Sequence, residues 1–478
     1  MTPQALAWAW LEALPARPFA LLESAGPGWK KRLSLLAGEP LFVFEGRGAR
    51  TTLRCGGRRW RVAAPPEQAH AALGRVLARR RRPGFWPLIN AFGYEAGGRF
   101  ERLPRAPRRG DPLPDWWAFL PGLWARWDPR AGCWRAAAAG LDASTTAALA
   151  RAWGLPERAL DGARERPAGA LEQLRSLLST RDAKKVADVR RAAAAQGPRP
   201  KAAAATPGAV RDSMGREGYC ARVRAAQELI RQGDIYQANI AHRFEVPFAG
   251  DAFGLYRRLA AINPSPMAAY VDLGGLQVVS ASPERLFRVQ GSRVETFPIA
   301  GSAPRQGRRG ERRRLERSAK DRAEHMMLVD LERNDLGRVC APGSVRVPRL
   351  AFVESYSHVH HLVSLVRGRL RPGRGLPELL AAGFPGGSIT GAPKIRCMEI
   401  IARLEGRARS WYTGSLGWWD PRQGRADLNI LIRTLFVSGG KAWGSVGAGI
   451  VLDSVPELEW RETRSKAAAL LAALGAGR

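Results

Sequence analysis

Four carboxylates in the last third of the chain fall into two pairs at helical spacing. The segments are KDRAEHMMLVDLERND (320–335) and PELEWRETRSK (456–466). The pairs are Asp321 with Glu324, and Glu459 with Glu462, with Lys466 one turn beyond the second pair. Residues three or four apart share one face of a helix. Mg²⁺ is commonly held by one or two carboxylates with water and ligand oxygens. The pattern predicts that a divalent cation is held against an anionic small molecule, with Glu324 and Glu462 as metal ligands and Asp321 and Glu459 supporting them. The alternative is that EHMMLVDLERND is a solvent-exposed helix face with arginine–acid pairs.

Two glycine-rich stretches suit such a ligand. FPGGSITGAPK (384–394) predicts a turn that exposes the hydroxyls of Ser388 and Thr390 and the amine of Lys394. GAGIV (447–451) lets the backbone approach a ligand closely, because glycine has no Cβ. Taken alone, that second stretch also fits an ordinary turn at the end of a strand.

Arginine, histidine and glutamate supply the remaining candidate side chains. Arg433, in the alternating run LNILIRTL, offers two N–H donors to a carboxylate, or is simply an edge-strand arginine. His361 is a candidate general acid, although HVHH also fits plain strand alternation. Glu284 lies in an apolar strand region, where burial would keep it protonated; a surface position beside Arg285 is the alternative.

Composition bounds the class of protein. The formal charge is +33, but only nine of the 76 basic residues are lysine, and the arginines are spread along the chain. A basic protein that binds polyanions is a remote alternative, and specific nucleic-acid binding is not expected. No run of 18 apolar residues predicts a membrane span, and no signal peptide is recognised. Five scattered cysteines without a CxxC pair favour reduced thiols in the cytoplasm.

The chain divides by composition into three regions. Residues 1–165 are rich in tryptophan and proline, with short β-like runs, and residues 166–215 form a helical and Ala/Pro-rich connector. Residues 216–470 contain the sharpest patterns. There, Tyr219, Val223, Ala226 and Ile230 predict one face of a helix, and 235–246 predicts a strand. Irregular alternation of strands and helices favours an α+β fold with antiparallel sheets.

Together these segments resemble the chorismate-utilising enzymes, which include component I of anthranilate synthase, component I of aminodeoxychorismate synthase, isochorismate synthase and salicylate synthase. The resemblance is strong over 216–470 and recognisable over 1–165, at LLESA (21–25) and FGYEAGGRFERLP (92–104). It implies a large body with two orthogonally packed antiparallel β-sheets surrounded by helices, and an N-terminal region of the anthranilate synthase component I type.

The resemblance also assigns roles. Glu324 and Glu462 match the Mg²⁺ ligands, Glu284 matches the family's acid/base glutamate, His361 lies beside the departing C4 hydroxyl, and Ser388 matches the hydroxyl of the glycine-rich loop. The positions that match substrate-binding residues are Tyr412 and Arg433 for the pyruvyl carboxylate, and Gly447, Ala448, Gly449 and Lys466 for the ring carboxylate.

Two positions distinguish the subfamilies. Gln237 stands where water-adding members carry a lysine, which implies that ammonia is the nucleophile and that a glutamine amidotransferase subunit supplies it. Ala300, in PIAGS, stands where aminodeoxychorismate synthases typically carry a nucleophilic lysine, and alanine is what anthranilate synthases show. Three longer segments nevertheless resemble the aminodeoxychorismate pattern more closely: FPGGSITGAPK, GDIYQANIAHRF and GYEAGGRFERLP.

The resulting prediction is an Mg²⁺-dependent transferase that aminates chorismate to 4-amino-4-deoxychorismate, upstream of a lyase in 4-aminobenzoate and folate synthesis. Anthranilate synthase component I is the near alternative.

Overall fold

The computed structural model describes most of the chain. The described residues are 2–14, 16–24, 33–79, 84–104, 106–108, 110–179, 210–304, 310–355 and 359–476. Most of the predicted helical and Ala/Pro-rich connector (166–215) lies outside them, whereas a helix at its start, Ala168–Ser179, is present. No helix in the described ranges has both the length and the apolar character needed to cross a membrane.

The α-helices of the described residues are α1 Pro3–Ala13, α2 Pro66–Ala78, α3 Ala143–Trp153, α4 Ala168–Ser179, α5 Gly215–Arg231, α6 Ala252–Ile262, α7 Glu311–Arg317, α8 Ala319–Gly337, α9 Leu376–Gly383, α10 Lys394–Glu405 and α11 Pro456–Leu474. Short 3₁₀ helices occur at Tyr94–Arg99, Glu157–Ala163 and Gly387–Ile389.

The strands are β1 Phe19–Glu23, β2 Leu35–Arg47, β3 Arg50–Cys55, β4 Arg58–Val62, β5 Leu88–Phe92, β6 Trp116–Asp128, β7 Cys133–Ala138, β8 Arg211–Asp212, β9 Gln237–Pro247, β10 Met267–Asp272, β11 Gln277–Ser282, β12 Arg285–Gln290, β13 Arg293–Thr296, β14 Ile299–Pro304, β15 Arg346–Ser355, β16 Val359–Arg369, β17 Gly391–Ala392, β18 Ser415–Asp420, β19 Arg425–Asn429, β20 Thr434–Ser438 and β21 Lys441–Ile450.

These strands pair antiparallel and join into one continuous hydrogen-bonded network. The predicted α+β class is therefore confirmed. Strands from the N-terminal region pair with strands from the last half of the chain: β1 lies beside β10, with Phe19 opposite Asp272, and β5 lies beside β18, with Phe92 opposite Ser415. The tryptophan-rich region thus shares its sheet with the region that carries the candidate site.

Two hydrophobic clusters form the main core. One contains the fully buried Trp116 and Trp153, and the other contains the fully buried Trp10. The neighbouring residues Leu35 and Leu36 on β2 belong to different clusters. Since successive side chains of a strand point to opposite faces, this sheet is packed on both sides.

Helix α5 and strand β9 agree with their predicted patterns. Tyr219, Val223 and Ala226 are completely buried, so the helix packs by the expected face. The run LQVVSASPERLFRVQ (276–290) predicts a pair of strands. Both strands form, but they do not pair with each other: β11 pairs with β10 and β20, and β12 pairs with β13 and β19.

Candidate active site

Helices α8 and α11 bring the two predicted metal ligands toward one centre. Glu324, half-buried on α8, accepts a hydrogen bond from Gln237 Nε2 at 3.1 Å. Its pKa is raised by burial, and the nearby charge of Glu462 raises it further. On α11, Lys466 Nζ lies 2.7 Å from Glu462 Oε1 and donates to Gly447 O at 3.0 Å. The acidic faces, more than 130 residues apart in sequence, therefore act on each other electrostatically.

The glycines of GAGIV make room for two amide side chains. Strand β21 pairs with β9 so that Gly449 lies opposite Asn239 and Gly447 opposite Ala241. A Cβ built at Gly449 would lie 2.4 Å from Gln237 Nε2 and 3.4 Å from Glu324 Oε1. A Cβ at Gly447 would lie 2.8 Å from Asn239 Oδ1. These glycines are part of a paired strand, so they form no strand-end turn.

The same centre fits a hard cation. Gln237 Oε1 is buried and has no hydrogen-bond partner among the described residues, which leaves an oxygen acceptor beside Glu324. No group of three or more His, Cys, Asp or Glu side chains in the described ranges is arranged to hold a metal. A cation here would depend on two carboxylates with water and substrate oxygens, as is usual for Mg²⁺.

The two supporting acids are placed differently. Asp321 is in the first turn of α8, where its backbone N–H donates to the capping Ser318 hydroxyl at 3.2 Å, and its side chain lies against Gly301. Its charge also raises the pKa of Glu324. Glu459 Oε1 accepts a hydrogen bond from Ser454 Oγ at 2.8 Å, at the start of α11. Asp321 is therefore near the predicted metal centre, whereas Glu459 organises the turn before its helix.

Glu284 is a buried carboxylic acid. Its side chain is 4% exposed, and Ser388 Oγ donates to Glu284 Oε1 at 2.8 Å. Burial raises the pKa of Glu284 to about 8, despite the Ser388 hydrogen bond that lowers it. The carboxyl group is therefore largely protonated at neutral pH, which makes Glu284 a candidate general acid.

His361, Arg433 and Tyr412 gather on another side of this centre. Burial, together with the positive charges of Arg433 and Lys466, lowers the pKa of His361 to about 4. The imidazole is thus neutral at neutral pH. Burial raises the pKa of Tyr412, and its phenol interacts electrostatically with Arg433. Buried positive charge from Arg433 therefore lies near His361 and Tyr412.

Arg433 does not lie within a strand, contrary to the prediction from LNILIRTL. Strand β19 ends at Asn429, β20 begins at Thr434, and Arg433 adopts a left-handed backbone conformation with φ 52°. Long-range backbone bonds explain the break, because Ile430 N donates to Glu284 O and Leu431 N donates to Gly414 O. Non-glycine residues at such φ values are uncommon and often functional.

Thr390 and Lys394 were predicted to be exposed by the glycine-rich turn, and the structure turns both inward. Thr390 is completely buried, and its hydroxyl donates to Gly386 O at 2.9 Å. Lys394 Nζ forms an ion pair with the buried Asp335. Only Ser388 of the three predicted polar groups is brought to Glu284. The turn is held by the protein itself, since Gly387 N donates to Glu332 Oε1 at 3.2 Å.

Ala300 is buried on β14. Lys394 is paired with Asp335, and Lys466 contacts Glu462 and Gly447 O, so both lysine amines already have partners and neither is available as the amine that Ala300 lacks.

Sequence reasoning missed an ionic hub beside Tyr412. Arg409, 7% exposed, pairs with Glu405 and donates to Ile389 O at 2.8 Å and Asn239 O at 2.6 Å. It thereby ties β9 to the glycine-rich turn. No local pattern marks Arg409. Asn239 was recognisable as a candidate site residue, because residues two apart in a strand share a face and Gln237 is itself a candidate.

The comparisons with known proteins agree with this fold. Residues 18–472 match the family described as chorismate binding enzyme. The chain belongs to that family.

The similar proteins split between two named activities. The chain is 50% identical over 262 residues to an anthranilate synthase component I-like protein of Synechocystis. It is 44% identical over 263 residues to aminodeoxychorismate synthase component 1 of Bacillus subtilis, an alignment that covers 54% of this chain and 56% of that protein. The Synechocystis alignment covers 54% of each chain, so the chain spans about half the length of the curated relatives it matches.

A solved structure of anthranilate synthase component I from Streptococcus pneumoniae is similar over nearly the whole fold. The TM-score is 0.72 at 28% identity, with 93% of this chain and 92% of that chain covered. MenF, an isochorismate synthase of Escherichia coli, shares the fold with a TM-score of 0.69 at 18% identity, covering 98% of this chain and 91% of that one.

Proposed function

We propose that the chain aminates chorismate with ammonia to give 4-amino-4-deoxychorismate, which a separate lyase would convert to 4-aminobenzoate for folate synthesis. The observation that carries the choice of ammonia is the contact between Gln237 Nε2 and Glu324 Oε1 at 3.1 Å. Related water-adding enzymes have a lysine at this position, and a neutral amide is a poor base for removing a proton from water. Ammonia is itself nucleophilic and needs no such base.

Mg²⁺ would be held by Glu324 and Glu462, and it would neutralise the ring carboxylate of chorismate. Lys466 and the amides of Gly447, Ala448 and Gly449 are proposed to lie along the same carboxylate. Arg433, with Tyr412 beside it, is proposed to bind the pyruvyl carboxylate, for which a guanidinium offers two parallel donors. The ring carboxylate and the pyruvyl carboxylate of chorismate would then be bound by two different parts of the site.

Glu284 is proposed to give a proton to the departing C4 hydroxyl. Since its pKa is about 8, the proton is available at neutral pH. Ser388 donates to Oε1, so the transferable proton would be on Oε2. His361, neutral because its pKa is about 4, would donate an N–H hydrogen bond to the same hydroxyl. Chorismate and ammonia then give the amino product and water.

Anthranilate synthesis is a second candidate because of Ala300. An alanine cannot attack C2, and Lys394, the lysine of the glycine-rich turn, is paired with Asp335. Without a covalent step, ammonia would add at C2 as the C4 hydroxyl leaves as water, and loss of pyruvate from that amino intermediate would then give anthranilate. The glycine-rich segments thus favour 4-amino-4-deoxychorismate as the product, whereas Ala300 favours anthranilate.

A glutamine amidotransferase subunit is the proposed ammonia source. Two of the similar proteins are named as component 1 of a synthase, which suits a divided enzyme. The five cysteines are free thiols, four of them buried, which suits the proposed location in the reducing cytoplasm.

The deciding experiment incubates the protein with chorismate, Mg²⁺ and an ammonium salt at alkaline pH, and separates the products by chromatography. We expect a product that becomes 4-aminobenzoate only after an aminodeoxychorismate lyase is added. Formation of fluorescent anthranilate without a lyase would show that the protein is an anthranilate synthase component rather than an aminodeoxychorismate synthase component. A hydroxylated isomer formed equally well without ammonia would overturn the assignment of ammonia as nucleophile.

A further inference from the structure

The loop 408–413, which connects α10 to β18 and carries Tyr412, is held by the N-terminal region of the chain. The indole Nε1 of Trp411, the residue next to Tyr412, donates a hydrogen bond to Pro114 O at 2.7 Å. The acceptor lies 297 residues earlier in the sequence. The proposed site for the pyruvyl carboxylate therefore depends on a part of the chain that is far from it in sequence.

Glu95, in the segment FGYEAGGRFERLP, binds this loop through two consecutive backbone groups. Its Oε1 accepts a hydrogen bond from Arg409 N at 2.8 Å, and its Oε2 accepts one from Ser410 N at 2.9 Å. In the opposite direction, Tyr94 N donates to Ser410 O at 2.7 Å. Because both oxygens of one planar carboxylate are engaged, the contact fixes the orientation of the loop backbone as well as its position.

The loop needs this support because its backbone is strained on both sides of Tyr412. Ser410 and Thr413 adopt left-handed conformations, each with φ 59°. Such conformations are unfavourable for residues other than glycine and persist where surrounding contacts impose them. At Thr413 the backbone N–H donates to Leu431 O at 2.9 Å, and at Ser410 the contact is the one with Glu95. Loss of the Glu95 contact would let the backbone before Tyr412 relax and would turn its side chain.

Side chains around the loop continue the contact to the proposed substrate pocket. The Arg409 guanidinium lies 4.8 Å from the centre of the Tyr94 ring and 5.8 Å from the centre of the Tyr412 ring. Tyr412, which is 5% exposed, interacts electrostatically with Arg433. A continuous series of contacts therefore runs from Glu95 through the loop to Arg433.

We propose that Glu95 is a positioning residue for chorismate, which holds the loop so that Tyr412 meets the pyruvyl carboxylate beside Arg433. This inference rests on the proposed binding of that carboxylate. Glu95 acts on the substrate only through the loop, because both of its oxygens bind loop backbone. The pyruvyl carboxylate keeps its charge throughout the amination step. Weaker binding of it should therefore raise the KM for chorismate and leave kcat nearly unchanged.

The test compares two variants in which glutamine replaces equivalent carboxylates. Glu95→Gln keeps the shape of the side chain but sets an NH2 group against one of the two backbone N–H donors. Glu67→Gln is the matched control. Glu67 also accepts two hydrogen bonds, at 2.7 and 2.9 Å, and they come from Arg99 at the end of the same 3₁₀ helix. This pair joins α2 to that helix within the N-terminal region.

Kinetics are measured at pH 8.5 with saturating ammonia and Mg²⁺ while chorismate is varied. Burial raises the pKa of Glu95 to about 7, so at pH 8.5 the wild-type carboxylate is ionised and both oxygens accept. Glu95→Gln should raise the KM for chorismate about tenfold, which is about the effect of one hydrogen bond to a charged group, and should keep kcat within about twofold. Glu67→Gln should keep both values within about twofold of wild type. Thermal melts compare the stability of the two variants.

A double variant tests whether Glu95 acts through Tyr412. Tyr412→Phe removes the phenol hydroxyl and should itself raise the KM for chorismate. Adding Glu95→Gln should then raise the KM by no more than about twofold, because the effects of residues that act through one another are not additive. A further tenfold increase would show that Glu95 acts by another route and would overturn the proposal.

A Glu95→Gln variant with the wild-type KM would also overturn it, and so would one whose kcat and Tm fall while the KM stays the same, since that is the behaviour of a purely structural residue. If Glu95→Gln does not fold, Glu95→Asp keeps both oxygens on a shorter side chain. Its KM should rise for the same reason, and an unchanged KM would refute the role.

The assay separates this inference from the function on which it rests, and it serves for either proposed product because both reactions begin with chorismate. A wild-type protein that neither binds nor converts chorismate would refute the proposed function and this inference together. Normal wild-type turnover with unaffected variants would refute only the role of Glu95.

Discussion

Replacing Glu284 by glutamine tests whether this residue is a buried, protonated acid. Its pKa is about 8 in the folded protein against 4.5 for the free side chain, and the side chain is 4% exposed. A carboxyl whose pKa is raised on folding contributes its full stability below the unfolded pKa and loses that contribution as the pH rises through the folded pKa. The gap between the two values corresponds to about 5 kcal/mol of unfolding free energy.

Glutamine has nearly the same shape and does not titrate. The unfolding free energy of the wild type, relative to Glu284→Gln, should therefore fall by about 5 kcal/mol between pH 4.5 and pH 8. With an unfolding entropy of about 1 kcal/mol per degree for a cooperative chain of this size, that is a relative change in Tm of about 5 °C. Thermal melts at pH 5 and pH 8.5, at equal ionic strength, measure it.

The activity of the same variant separates catalysis from stability. Loss of a general acid should lower kcat by about 10²- to 10⁴-fold at neutral pH, with chorismate still bound. Rates are compared at equal concentrations of free ammonia, because ammonia itself titrates. Glu228→Gln, on the exposed side of α5, is the control and should change neither property. Melts of wild type and Glu284→Gln that respond identically to pH, or a variant with full activity, would refute the assignment.

Three further single variants and one double variant test the surroundings of the site. Gln237→Lys places an amine beside Glu324 and should lower the rate with ammonia by about tenfold. The same variant should form a hydroxylated isomer of chorismate, which mass spectrometry would detect. An unchanged rate and product would contradict the role of the amide. Ala300→Lys should change the product ratio or rate without abolishing chorismate binding, and identical products and kinetics would show that the position is irrelevant. Lys394→Met leaves Asp335 buried and unpaired, which should cost about 3–5 kcal/mol and lower the Tm. Adding Asp335→Leu should restore part of that loss, and a single variant as stable as wild type would contradict the ion pair's structural role.

Patterns that depend on one segment were predictable from the sequence. The buried face of α5 follows from the spacing of Tyr219, Val223 and Ala226, and β9 follows from alternation over 235–246. In both cases the period of the local chain decides which side chains face the core. The spacing of Asp321 with Glu324 was read correctly as helical for the same reason.

Orientations that depend on a distant partner were not predictable. Lys394 looks free in FPGGSITGAPK, but its amine pairs with Asp335, which lies 59 residues earlier. The alternation of LNILIRTL reads as one strand, yet Ile430 bonds to the backbone of Glu284 and the chain turns at Arg433. Local periodicity carries no information about such pairings, because the partner belongs to another element.

In each of two parts of the candidate site, the surroundings disfavour the charged form of the ionisable group that lies there. Around Glu324, burial and the nearby Glu462 raise the pKa, so a negative charge there is unfavourable until a cation arrives. Around His361, burial with Arg433 and Lys466 lowers the pKa, so further positive charge is unfavourable until an anion arrives. A divalent cation would stabilise the ionised form of Glu324, and a dianionic substrate would balance the positive charge around His361. Both effects occur only when cation and substrate are bound together. Perturbed groups of opposite sign within one buried region are typical of functional sites. Their pairing here is the physical reason to expect that cation and substrate bind cooperatively.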